Sequence, residues 1–350
     1  MDTAPKVKRE SKRKIRVEFE RAPLWTRIKA KFFSMNFLKN VVYVVFRTVL
    51  LLGIAYVILF PYIAKIFSSF MTKADFEDVT VMLISKGPTL DQYKYIILEN
   101  EYFSSLLNTF LLSLSTALIQ TVICALIAYG LAKFKFKGNT IVFALVIVTL
   151  MVPLDTITYA FQVHFKFFEH YNLIGKVLAP IMTAIKGAPW RGFENTYVPM
   201  YIFSFLGLGF KNGLFIFMLR QFFRGVPDEL EESAYVDGSS TFKTFFRIII
   251  PISIPMLVTV FIFSFAWQWT DDYYVTTLFD SRYFFDNGYP NLRQIVEIPK
   301  HFQNEIKNLP AYKSAIQGTA TILIALPLII AYVFLQDKIV QGVERSGIVG

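Results

Sequence analysis

Five carboxylates, a glycine and three serines crowd into the stretch from Asp228 to Ser240, between two long apolar runs. Asp228, Glu229, Glu231 and Glu232 place negative charge where a short helix carries its positive end, and Pro227 presets the first helical turn. Gly238 permits a left-handed stop, so one helix is expected from about Pro227 to Asp237. Leu230, Ala234 and Gly238 fall four apart, giving that helix a small apolar side able to lie close to another surface. Ser240 is placed to cap a second short helix through Thr241, Phe242 and Lys243. The chemistry of such a segment is docking rather than bond making. From composition alone, an interfacial helix with a solvated acidic face fits the same residues.

Covalent chemistry has little support elsewhere. No Gly-x-x-x-x-Gly-Lys-Ser/Thr loop occurs, so the chain has no recognisable ATP site of its own. His164, His170 and His301 stand at no metal-ligand spacing, and no metal site is expected. No nucleophile, base and orienting group can be assembled, so no catalytic residue is assigned. Cys124 is the single cysteine, which excludes an internal disulfide and a multi-cysteine metal site.

The elements that must hold the acidic segment are membrane spans. Hydrophobic residues make up 54% of the chain, charged ones 18%, and 37 residues are Phe; the mean hydropathy is +0.46. A span needs about 20 mainly apolar residues. Six segments qualify, from Val41 to Phe67, Ser104 to Ala132, Asn139 to Val163, Val198 to Phe223, Ile249 to Thr270 and Ile316 to Leu335. Basic residues from Lys6 to Lys39 greatly outnumber Asp2, Glu10, Glu18 and Glu20, and Lys133, Lys135 and Lys137 follow span two. The positive-inside rule then puts both termini and the Glu232 segment in the cytoplasm. Basic residues beside a span point to anionic lipid rather than nucleic acid. The N-terminus reads as an uncleaved anchor, because its basic region is long, the run after it is full span length and no small-x-small site follows.

Glu232, Ser233, Ala234, Asp237 and Gly238, followed at the right spacing by Ile248, Ile250 and Pro251, resemble the Glu-Ala-Ala loop of ABC importer permeases. Ser233 stands for the usual first Ala and Ile250 for the usual Leu. Asn108-Thr109, then Ala128 to Ala132, then Phe136 and Gly138 are similar to the start of the shared permease core. The resemblance implies an all-α membrane protein with six transmembrane helices and the type I ABC importer permease fold. It divides the chain into a basic segment 1–40, a first span 41–70, an outer loop 71–103, a permease core 104–336 containing a coupling loop 224–248, and a tail 337–350. It also implies that the coupling residues meet a cytoplasmic ATPase. The expected partners are a second, related permease, two ATP-binding-cassette ATPases that bind ATP and Mg, an extracytoplasmic solute-binding protein, and the lipids of a bacterial cell membrane. The tail from Val340 to Gly350 is similar to that of maltose-type permeases, with Val349 in place of a usual Lys, which points to a carbohydrate solute.

Polar and aromatic groups on the spans are candidates to line a path: Asn108, Gln120, Tyr159, Gln162, Trp267, Gln268 and Trp269. Both indoles equally suit an outer interfacial belt. Met151-Val152-Pro153-Leu154 marks a kink or hinge in span three, and Asp155 is the one buried carboxylate candidate for ion coupling. Leu173 to Ile185 is expected to re-enter the membrane or lie along it. The remaining loops, Met71 to Tyr102 and Asp271 to Ala315, are slightly acidic, as an outer face would be. A permease for a non-sugar solute, a secondary transporter and a membrane-embedded glycosyl transferase are the alternatives to a sugar importer subunit.

Overall fold

The computed structural model describes residues 35–152, 173–186, 196–209, 211–278 and 292–347, with further positions at 25, 160, 163–165 and 193. In chain order the helices are α1 (Met35–Ser68), α2 (Lys73–Glu77), α3 (Asp91–Glu99), α4 (Tyr102–Lys133), α5 (Asn139–Met151), α6 (Leu173–Lys186) and α7 (Val198–Phe205). After these come α8 (Asn212–Gly225), α9 (Glu229–Val236), α10 (Thr241–Thr244), α11 (Ile250–Trp269), α12 (Tyr273–Leu278), α13 (Leu292–Val296) and α14 (Pro310–Gly347). A π-helical turn, Phe245–Ile249, joins α10 to α11.

The chain divides after Ile63 into two compact units. The first is described chiefly by α1, a helix of 34 residues, about 50 Å long at 1.5 Å per residue and so longer than a hydrocarbon core of about 30 Å. Its apolar side chains, among them Val42, Leu52 and Val57, are exposed, and the Arg47 guanidinium lies 5.8 Å from the Tyr43 ring.

In the second unit α4 is the axis against which α7, α8 and α11 pack. Its buried positions include Ser113, Thr116, Ala117, Ala125 and Ala128. Small side chains permit that close approach where lipid competes as an apolar solvent. Around them Phe215, Leu219, Phe223, Ile249, Met256 and Val260 form a core with almost no exposure. Within it Gln120 donates to Ser204 Oγ at 3.2 Å and accepts from Ser264 Oγ at 2.6 Å, tying α4 to α7 and α11.

Four of the six expected spans are single helices of spanning length: Lys39–Ser68, Tyr102–Lys133, Thr241–Trp269 and Pro310–Asp337. Span three is described only as α5, which ends at Met151 with Val152 extended, as the residue before a proline prefers. The expected break at Pro153, and Asp155, lie outside the described residues. Leu173 to Ile185 forms α6, with Pro180 inside it.

Span four departs from the expected continuous run between Val198 and Phe223: it is two helices, α7 and α8. Gly207 at φ +70° ends α7, with Gly207 N–H bonded to the Ser204 carbonyl and Leu208 N–H to the Phe203 carbonyl. That is the paired bonding of a glycine-terminated helix. Lys211, also left-handed at φ +62°, precedes α8. Gly207, Gly209, Lys211, Asn212 and Gly213 interrupt the apolar run at the break, a turn signal that a hydropathy count over the whole run averages away.

The two remaining loops fold against each other. Ile96, Tyr102, Ile295, Phe302, Tyr312 and Ile316 share one buried cluster. Asn100 donates to the carbonyls of Ile295 and Glu297 at 3.1 and 2.7 Å, and Thr319 donates to Gln92 Oε1 at 2.6 Å. His301 stacks on Tyr95 with ring centroids 3.6 Å apart.

The α5–α8 crossing rests on Gly213, where an added Cβ would lie 2.5 Å from Thr149 Oγ1 and 3.0 Å from the Val146 carbonyl oxygen. Gly213→Ala is expected to destabilise the protein by about 1–3 kcal/mol through overpacking. Gly130→Ala, with nothing within 4 Å of the new methyl, should leave stability unchanged or raise it by up to about 1 kcal/mol. The thermal midpoints of the two purified variants check this contrast.

Candidate functional site

The acidic segment folds as a helical hairpin. α9 ends as its sequence requires: Gly238 adopts φ +77°, its N–H bonds the Tyr235 carbonyl, and the Ser239 N–H reaches back to the Ala234 carbonyl at 2.9 Å. Ser240 accepts from the Lys243 N–H and caps α10. The expected cap and stop are both present. The helix itself runs over Glu229–Val236, slightly inside the expected bounds.

A polar tie at the end of α4 holds the hairpin to the bundle. Lys133 Nζ bonds the Val226 carbonyl at 2.7 Å and Asp228 Oδ1 at 2.5 Å, and lies 3.3 Å from Glu231 Oε1, with both side chains less than a tenth exposed. Tyr129 donates its hydroxyl to Glu231 Oε2 at 2.9 Å while its ring packs on Phe134, Phe223 and Phe245. Each oxygen of the buried carboxylate therefore faces a donor or a cation, as burial of a charge demands. Asp228 remains largely exposed. The hydrogen bond from Lys133, followed by its charge, holds that carboxyl below the usual range.

The expected coupling residues take different places on this hairpin. Glu232, Ser233, Asp237, Gly238 and Pro251 are exposed, Ile248 and Ile250 are half-buried, and Ala234 is 7% exposed, turned away from solvent. The neighbouring Ile249 is fully buried in the core. Glu231 and Lys133, which no spacing rule singles out, are the anchors. In the sequence they are one acid among five and one lysine among three, 98 positions apart. Exposed apolar groups crown the hairpin, with Val236 at 88% and Phe242 at 71% exposure, beside Leu230 and Tyr235.

The path candidates are likewise separated. Gln120 is bound within the bundle core, and Asn108 is half-buried on α4. Trp267 stacks on Phe215 at 5.6 Å, with the Lys211 ammonium 5.9 Å from its ring. Gln268 and Trp269 face elsewhere, into a cavity of about 550 Å³ at the end of the bundle opposite the hairpin. Trp269 is buried and donates to the Ile324 carbonyl at 3.1 Å, so it forms wall rather than open platform. Tyr159 and Gln162 lie outside the described residues.

A family model described as the binding-protein-dependent transport system inner membrane component matches residues 121–345. The chain belongs to that family. The permease is 27% identical over 299 residues to the maltodextrin transport system permease protein MalD of Streptococcus pneumoniae, covering 85% of this chain and 92% of that one. It is 32% identical over 183 residues to the alpha-glucoside transport system permease protein AglG of Rhizobium meliloti, covering 52% of this chain and 43% of that one. In fold it matches a chain of a solved bacterial ABC transporter involved in the import of the acidic polysaccharide alginate, at a TM-score of 0.60 and 18% identity. That match covers 87% of this chain and 98% of the other. The type I importer permease fold is thereby established, and the permease is a membrane transport subunit, not an enzyme.

Removing one partner of the Lys133–Glu231 pair leaves the other charged and buried. Glu231→Leu or Lys133→Met alone is expected to cost about 3 kcal/mol of stability, and the double variant to recover much of that loss. Thermal midpoints of the three purified variants provide the cycle.

Proposed function

We propose that this permease forms one half of the translocation path of an ATP-driven importer for carbohydrate, with a short oligosaccharide as the favoured solute. The sugar class is supported by the maltodextrin and alpha-glucoside systems of the relatives, together with the maltose-type tail. The second half of the path would come from a related but different permease. Two ATPase chains, holding ATP and Mg, would bind on the cytoplasmic side, and a solute-binding protein would dock on the outer side. Both termini and the hairpin are assigned to the cytoplasm.

The observation that carries this reading is the build of the hairpin. It exposes Leu230, Tyr235, Val236 and Phe242 at its tip while its base is tied to α4 through Lys133, Tyr129 and Glu231. An apolar tip in water favours a protein partner, and a tied base transmits displacement. When two motor subunits close on nucleotide, a hairpin seated on each would be drawn inward. The tie would carry that motion into α4, the helix against which most of the bundle packs. Ala234, turned inward, would set the closeness of α9 to its own bundle, and the partner would meet the exposed side chains around it.

Gly238 makes this testable, because its difficulty for other residues is conformational: nothing lies within 4 Å of an added Cβ, but φ is +77°. A β-branched residue is strongly disfavoured there, whereas Asn tolerates the left-handed region. Gly238→Val is expected to abolish solute uptake with the chain still in the membrane, and Gly238→Asn to retain much of it. Uptake and membrane content are measured on the same cells, and wild-type uptake in the Val variant would overturn the assignment.

The tip has its own test. Val236→Asp should release the ATPase subunits during purification without changing the yield of the permease. A cysteine at Ser233 that an impermeant reagent labels from outside intact cells would overturn the orientation.

A further inference from the structure

The cavity at the far end of the bundle has features the hairpin does not explain. Its walls come from the C-terminal end of α11, the residues just beyond it, α13, and the first halves of α4 and α14. Thr109 lies seven residues into α4, about 10 Å from its start. At about 550 Å³ the space falls within the range of about 300–1,000 Å³ usual for small-molecule sites.

Its lining suits hydroxyl groups. Gln268 is only 5% exposed; its Nε2 donates to Asp271 Oδ2 at 3.3 Å, while its Oε1 has no donor among the described residues. Gln317 and Thr321 stand one turn apart on the facing wall, the Thr321 hydroxyl donating to the Gln317 carbonyl and keeping its lone pairs for another donor. Amide, carboxylate and hydroxyl oxygens meeting over an apolar floor can accept from several hydroxyls of one ring.

The charge of the lining is one-sided. Asp271, Asp272 and Glu297 are its carboxylates, and Arg293 is its one cation among the described residues. Arg293 lies 3.3 Å from Asp272, so among the described lining residues three carboxylates face one cation. Asp271 accepts from the Tyr274 N–H at 3.0 Å. Burial raises its carboxyl to about 6, the hydrogen bonds opposing the rise.

We infer that this cavity is a sugar subsite at the mouth of the path, one that takes neutral or amino-bearing units and turns away uronates and other anionic sugars. The inference rests on the carbohydrate reading and narrows it. It separates this permease from the alginate importer whose fold it shares: a carboxylated unit entering here would meet a described lining of three carboxylates and one cation. The amide and hydroxyl acceptors that favour a neutral ring offer a uronate no counter-charge.

The protein's single cysteine, Cys124, is fully buried, so an introduced thiol can be followed against the wild-type background. In the purified transporter, Thr321→Cys, at an exposed cavity position, is treated with trimethylammonium-ethyl or sulfonatoethyl methanethiosulfonate. Each rate is divided by the rate of that reagent with free cysteine. The cationic reagent is expected to be favoured at least about tenfold, because a net negative charge within about 12 Å, through an effective dielectric near 40, favours the cation and disfavours the sulfonate about threefold each. Asp271→Asn or Glu297→Gln should each reduce that preference severalfold, and the exposed Glu297 carries the test if Asp271→Asn does not assemble.

The subsite itself is read by protection. At least one of maltotriose, cellotriose and chitotriose at millimolar concentration should slow the labelling, and trigalacturonate should not. Equal or reversed charge preference, protection by trigalacturonate, or no protection by any of the three neutral sugars overturns the inference. None of these results touches the importer assignment, which stands or falls on ATPase association and on uptake in the Gly238 variants.

Discussion

A lysine and a glutamate from distant parts of the chain share a pocket of aromatic rings, and the working parts of the permease are organised around that contact. Lys133 ends the central helix and Glu231 lies in α9, the first helix of the hairpin, both less than a tenth exposed. Two buried charges hold only when each finds its partner in good geometry, with further hydrogen bonds to complete it. Tyr129 and the Val226 carbonyl supply those bonds. A short helix that would fray if isolated is thereby held in one place relative to the spans.

The hairpin and the split fourth span use the same terminator for different ends. Gly207 and Gly238 both adopt the left-handed conformation and satisfy the last carbonyls of the helices they end. At Gly238 the stop turns the chain at an exposed tip. At Gly207 it breaks a span beside Gln120, whose amide joins Ser204 and Ser264 across three helices. Backbone freed by such a break in a membrane must find partners within the protein, and tight bonding on either side of the break meets that demand.

The two ends of the bundle are consequently unlike in character. The hairpin presents apolar side chains on a polar, tied base, which suits a protein partner. The opposite end presents amides, hydroxyls and an excess of carboxylate around a space of small-molecule size. α4 and α11 run between them, so a displacement at one end has a packed route to the other.

Much was legible in the sequence because it depends on local pattern: the apolar runs of spans one, two, five and six, the glycine stop, the serine cap, and the small residues on span two. Each follows from neighbours a few positions apart, where helix geometry and hydropathy act directly. The break in span four had a local signal in Gly207, Gly209, Lys211, Asn212 and Gly213, but hydropathy averaged over the full run from Val198 to Phe223 passes over it. Nor could the sequence divide its indole cluster, sending Trp267 to Phe215 and Gln268 with Trp269 to the cavity. The pairing of Glu231 with Lys133 lay equally beyond it. Which of several like charges is buried, and which side of a helix faces a neighbour, depend on packing between segments about a hundred residues apart. Only the tertiary structure brings those segments together.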